Sequence, residues 1–150
     1  MTTILATILL HLVGLGPALD QATQWTGSRE VGAAVTWAAV QTPMPLDRAL
    51  PLWTAIGYVE SKWHAKPRRW GFGCGWCQVL PVREWGRPTC GELENPLIAA
   101  EWGASILAAG LRRCHGQVKC ALRRYNASDG REKYVRDVLR ALRRLGRDWT

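Results

Sequence analysis

Residues 46–63, LDRALPLWTAIGYVESKW, are the stretch on which the fold turns. Leu52, Ile56, Val59 and Trp63 recur at the spacing of one helical face. Asp47 is placed to cap the first turn, and Pro51 is tolerable near a helix start because the first amides lack partners there anyway. The helix is expected to end near Trp63, before Pro67. Its one acidic residue beyond the first turn, Glu60, falls at the carboxyl end.

Working outward, the same period recurs. Ser28 can cap a helix running to about Val40, with Val31, Val35 and Ala38 or Ala39 on its apolar side, and Thr42-Pro43-Met44-Pro45 breaks it. Asn95-Pro96 opens another, with Ile98, Trp102, Ile106 and Leu107 on one side and Gly110 at its end. A short helix is expected over residues 117–125. A last one runs from about Arg131 to Leu145, with Tyr134, Val135, Val138, Leu142 and Leu145 inward and arginines outward. The interruption is residues 66–94, KPRRWGFGCGWCQVLPVREWGRPTCGELE, where glycines and prolines predict loop and a short hairpin. The expectation is a mainly α single domain with minimal β, spanning residues 28–147.

A chain of 150 residues and 16.7 kDa has room for one core only, and 47% hydrophobic residues exclude a disordered or collagen-like class. Nine Trp against three Tyr and one Phe is an odd allocation. The net charge of +8 is uneven: residues 1–110 hold eight basic and eight acidic groups, so the whole excess lies in residues 111–150. A basic flank favours anionic surfaces such as nucleic acid, acidic lipid or cell-wall polymers.

The five cysteines, Cys74, Cys77, Cys90, Cys114 and Cys120, fit an oxidising compartment. Cys114 and Cys120 flank a short loop that a disulfide could close, and the odd count leaves one thiol over. Cys74 and Cys77 form a CxxC without the strand–helix–strand context of a redox motif. A zinc site through Cys74, Cys77, Cys90 and a ligand near His115 lacks a second CxxC or a His pair, so no metal is expected.

Residues 3–19, TILATILLHLVGLGPAL, are apolar and at or below the length needed to span a bilayer. Gly16-Pro17-Ala18 offers a cleavage site, so residues 1–24 read as a signal peptide, although no Lys or Arg precedes Arg29. An uncleaved membrane anchor is the near rival and a buried first helix the third reading. Export to the periplasm or cell envelope is the expectation.

Glu60 is the candidate for chemistry, against the plainer reading of a surface carboxylate paired with Lys62 or Lys66. A carboxylate at a helix carboxyl end faces the negative end of the dipole, and apolar neighbours desolvate it; both raise its pKa toward the range of a general acid. Around it stand Glu60-Ser61, then Gly75-Trp76-Cys77-Gln78-Val79-Leu80-Pro81. These resemble the ES…GLMQ-[IV]-x-P pattern of the lytic transglycosylases, in the superfamily of goose-type lysozyme. Asn95-Pro96 with Gly103 and Leu107 looks like that family's NP…G…L helix. Ala121-Leu122-Arg123-Arg124-Tyr125-Asn126-Ala127 is similar to its A-L-x-x-YNA-G segment, and Tyr134-Val135-x-x-Val138 to its closing YV-x-x-V. Order and spacing agree over roughly residues 46–140.

The resemblance implies a lysozyme-like fold with a cleft for peptidoglycan glycan strands and no cofactor. Glu60 takes the catalytic position, with Ser61, Gln78, Tyr125, Asn126 and Trp76 at the substrate. Trp76-Cys77 stands where Leu-Met is usual, Phe72 where a Gly is common, and Ser128 where the family has Gly. Trp63, Trp70, Trp76 and Trp85 crowd the same window: some are expected to stack on sugars and two or three to fill core. From Ser61 through Arg83 there is no Asp or Glu, whereas ordinary hydrolysis needs a second carboxylate. A lone acid suits the transglycosylase scheme, which ends in 1,6-anhydro sugars; goose-type hydrolysis is the alternative. Size and leader resemble the small enzymes of envelope-spanning secretion or conjugation machines, and phage lysis enzymes fit equally. A non-catalytic wall-binding module and a basic nucleic-acid binder acting through residues 111–147 are the rivals from other classes. The second has no recognition motif behind it. Glu60→Gln is expected to stop wall clearing and leave melting nearly unchanged.

Overall fold

The computed structural model describes residues 10, 13–64, 73–82, 86–126 and 130–146. Among these, seven helices have defined bounds: α1 (Gly16–Thr26), α2 (Arg29–Gln41), α3 (Leu46–Ser61), α4 (Cys90–Leu93), α5 (Pro96–Arg113), α6 (Val118–Tyr125) and α7 (Arg131–Arg144). The described residues contain no strand, only one antiparallel bridge between Cys74 and Val79.

The starts follow local chemistry. Ser28 has extended backbone and its hydroxyl accepts from the Val31 amide, which caps α2; Asn95 does the same for the Leu97 amide at the head of α5, followed by Pro96. Helix α3 begins two residues earlier than expected, with Pro45 in the capping position and Asp47 inside the first turn, where its charge meets the positive helix end. Pro51 therefore lies inside the helix and removes one backbone hydrogen bond. Helix α4 interrupts the segment expected to be loop: Thr89 and Glu92 form a reciprocal capping box there. Helix α5 runs three residues past Gly110, to Arg113.

Helix α3 is the centre of the molecule. It is buried all round from Ala49 to Gly57 and packs on α1, α2 and α7. Helix α5 packs on α2, α4 and α6, and its inward face is not the one the bulky residues mark. Ala99, Ala100, Gly103, Ala104 and Leu107 are buried, whereas Ile98, Trp102 and Ile106 are half-buried at its edge. Small residues inward let α2, itself lined by Ala34, Ala38 and Ala39, approach closely. On α7, Tyr134, Val135, Val138 and Leu142 are buried as expected.

Helix α1 packs on α2 and α3 and buries Leu19 and Ala22, with Leu10 and Ala33 beside Leu19. Of the apolar run read as a leader or anchor, residues 3–9, 11 and 12 lie outside the described residues. No helix among the described residues is long and apolar enough to cross a membrane. Cys114 and Cys120 form a disulfide across the loop between α5 and α6, with Cα atoms 5.8 Å apart. Cys74 pairs with Cys90, Cα atoms 5.2 Å apart, joining the bridge segment to α4. Cys77 is the free thiol, and Cys74 is bonded elsewhere than to its CxxC neighbour.

Candidate active site

Glu60 sits in the last turn of α3, where the central helix leaves the core. Lys62 ends the helix in a left-handed conformation, φ 55°, and Trp63 follows at φ 61°. Two such residues in succession turn the chain back, so Trp63 lies against its own helix: its indole N–H donates to the Thr54 carbonyl at 3.0 Å and its ring meets Tyr58 at 5.1 Å between centroids. Ser61 is fully buried, and its hydroxyl donates to the Trp76 carbonyl at 2.6 Å. That bond ties the end of α3 to the turn Cys74–Val79, which is closed by paired backbone bonds of 2.8 and 2.9 Å. Within the turn Gln78 adopts φ 52°, and its side-chain amide donates to the Gly75 carbonyl at 2.9 Å.

The floor beneath this turn is aromatic. Trp76 is fully buried, its N–H donating to the Pro96 carbonyl at 2.9 Å and its ring edge-on to Trp53 at 5.9 Å. It reaches the core because position 57 is glycine: a Cβ there would lie 2.7 Å from the Trp76 ring and 2.9 Å from Trp63. Tyr125 stands edge-on to Trp53 from the other side, at 6.0 Å, and its hydroxyl donates to the Cys77 carbonyl at 2.9 Å. Gly103 on α5 leaves the room, since a Cβ there would meet the Cys77 sulfur at 2.9 Å and the Tyr125 hydroxyl at 3.2 Å.

Four titratable groups share the space. Burial pushes the Glu60 carboxyl up to about 7 from 4.5. The Tyr134 hydroxyl, reaching in from α7, pulls the other way by favouring the charged carboxylate. That hydroxyl is buried and closes no full hydrogen bond. Burial also raises Cys77, to about 12, and its thiol donates to the Ala99 carbonyl at 3.2 Å. Tyr125 and Tyr134 are both raised well above the usual phenol range, chiefly by burial and further by Glu60. At neutral pH the two phenols and the thiol therefore stay protonated, and Glu60 alone exchanges its proton near neutrality. No second carboxylate among the described residues enters its electrostatic surroundings.

Of the residues singled out in the sequence, Glu60 and Tyr125 share one neighbourhood, with Gln78 adjoining Cys77 in the chain. Ser61 is a buried brace for the turn. Trp76 is core, with its ring and N–H both used inside the protein, so it offers no face to a sugar. Asn126 ends α6, its backbone amide bonded to the Leu122 carbonyl at 3.0 Å. Trp70, Phe72, Trp85 and Ser128 lie outside the described residues. Sequence reasoning missed Tyr134 as a site residue, having placed it on the inward face of α7 and in the YV-x-x-V match without a role at the site. The available signal was chemical: a Tyr among aliphatic core positions carries a hydroxyl that needs a destination.

Tyr134→Phe should raise the Glu60 pKa further, because the hydroxyl favours the ionised form. At acid pH, where Glu60 is neutral, melting temperature should hold or rise, since a buried hydroxyl that closes no full hydrogen bond is removed. Carboxyl carbon NMR titration of Glu60 checks the first point; a downward shift would contradict a Tyr134 hydroxyl beside the carboxylate.

A concavity of about 560 Å³ lies between α5, α6 and the start of α7; Glu60 does not line it. Among the described residues no group of His, Cys, Asp and Glu could hold a metal ion. No family model, curated protein or solved structure matches this chain.

Proposed function

We propose that the chain is an exported peptidoglycan lytic transglycosylase of lysozyme-like fold that cleaves the bond between N-acetylmuramic acid and N-acetylglucosamine. The reading rests on one observation above all: a carboxyl at the end of the central helix, raised by burial to about 7, with two protonated phenols beside it. A group with that pKa is half protonated at neutrality and serves in both directions. Glu60 first gives its proton to the glycosidic oxygen as the C1–O bond breaks, with the substrate's own N-acetyl oxygen supporting C1. The resulting carboxylate then takes the proton of the C6 hydroxyl, whose oxygen closes on C1. The 1,6-anhydro sugar forms, Glu60 is protonated again, and no water is consumed. The substrate-assisted route needs no second carboxylate, in keeping with the surroundings of Glu60. The motif pattern from Glu60-Ser61 to Tyr134-Val135 supports the same reading, and the two disulfides support an oxidising, extracytoplasmic setting.

Mass spectrometry of purified wall digested with the full chain tests it. Anhydro-ended muropeptides are the expected product. Reducing ends would make the chain a muramidase, and intact wall would remove both readings.

A further inference from the structure

The 560 Å³ concavity is lined by five arginines, Arg87, Arg113, Arg123, Arg124 and Arg131, around Trp102. They converge from four separate parts of the chain: the segment before α4, the end of α5, the end of α6 and the first turn of α7. One helix presenting a solvated basic face does not produce that arrangement. Arg123 is paired with Glu132, and among the described residues no acidic side chain is part of the groove's own lining. Arg131 stands at the positive end of α7, where a cation is unfavourable and an anion is favoured. The volume suits a ligand of a few residues. The half-buried Trp102 indole gives an apolar wall between the guanidinium groups, which are shaped for carboxylates.

The groove also adjoins the candidate active site. Arg123 and Arg124 immediately precede Tyr125 on α6, and the Arg87 guanidinium lies in the field of the Tyr125 hydroxyl. A glycan strand seated at Glu60 carries short acidic peptides branching from alternate sugars. We infer that the arginine groove holds the carboxylates of such a peptide arm, so that the protein binds peptide-bearing strands in preference to bare ones. This inference rests on the proposed function for the identity of the polymer. The five arginines gather around one open concavity rather than along an extended stripe, which favours a short branched acid over the continuous backbone of a nucleic acid.

Calorimetric titration of the full chain with a soluble disaccharide–tetrapeptide, and with the same disaccharide lacking its peptide, tests the inference without requiring turnover. The peptide-bearing ligand should bind about tenfold more tightly at low salt, as charge-assisted hydrogen bonds do. The preference should shrink at 1 M salt, where screening reaches about 3 Å. Arg113→Gln/Arg124→Gln should erase the preference while leaving melting intact. Equal affinity for the two ligands, or a preference that survives the double substitution, overturns the inference. So does an oligonucleotide of matched charge that displaces the peptide-bearing ligand. Wall cleavage without any peptide preference would remove the groove's role and leave the proposed activity standing. A preference without cleavage would do the reverse.

Discussion

Glu60→Gln should lower wall clearing by about 10²–10⁴-fold, the range over which a positioned acid–base group contributes. Glutamine keeps the size and most of the packing of the residue, and the end of α3 is held independently by the Ser61 bond to Trp76 and by the Lys62 turn. The loss is thus one of proton transfer. For the wild-type protein the same carboxyl sets the pH profile. The first step needs the protonated form, so activity should fall as pH rises through about 7. Dye release from labelled wall, measured from pH 5 to 9, checks both statements; a variant that still clears wall removes Glu60 from its role.

Glu60→Gln should change stability in the opposite sense to activity. Unfolded, Glu60 releases its proton near 4.5; folded, it holds it to about 7. Between those values the fold binds a proton that the unfolded chain does not. The stabilisation relative to an ordinary carboxylate is therefore complete below 4.5 and lost as pH passes 7. Above pH 7 the fold carries a desolvated charge. Glutamine carries none, so at pH 8 the variant should be more stable than the wild type by about 3 kcal/mol. At pH 4 the two should agree. The sequence alone suggested unchanged melting; the burial of the carboxyl makes the difference pH-dependent. Urea unfolding at the two pH values decides it.

How far the sequence could be read depended on whether a signal was local. Ser28 and Asn95-Pro96 announced their helices because a cap acts on amides two or three residues away. Glu60 stood out because an apolar run ended on it and a Gly-rich segment followed. Helix α5 was legible as a helix but not in its orientation. Of the residues that marked the expected core face, Leu107 is buried but Trp102 and Ile106 lie at the edge, and Ala99, Ala100, Gly103 and Ala104 take the inward positions, because close approach to α2 demands small residues. The capping box at Thr89 and Glu92 was local too, but short and set among glycines and prolines that read as loop. Tyr134 and the arginine groove were illegible for another reason: α3 must meet α7, and Arg87 must meet α6, before either exists. The arginines of α6 and α7 read as a solvated face, and only packing turns part of that charge inward to a concavity.

Trp76→Ala should be the most destabilising single change, by about 3–5 kcal/mol, the range for truncating a fully buried large aromatic. The indole fills the space over Gly57, meets Trp53 edge-on and donates to the Pro96 carbonyl, so truncation opens a cavity and leaves an acceptor buried without its donor. A domain of this size holds about 5–15 kcal/mol in all. The variant should therefore melt far below the wild type, and its activity should vanish with the fold. Trp76→Phe separates this account from a sugar-stacking one. It keeps an aromatic ring against Gly57 and loses the hydrogen bond, so it should cost about 1–3 kcal/mol and remain folded at low temperature. If Trp76 stacked on substrate, the phenylalanine variant would keep its melting temperature and raise KM. The core position requires the converse, lowered melting with KM unchanged while the chain is folded, because the indole's contacts are all internal.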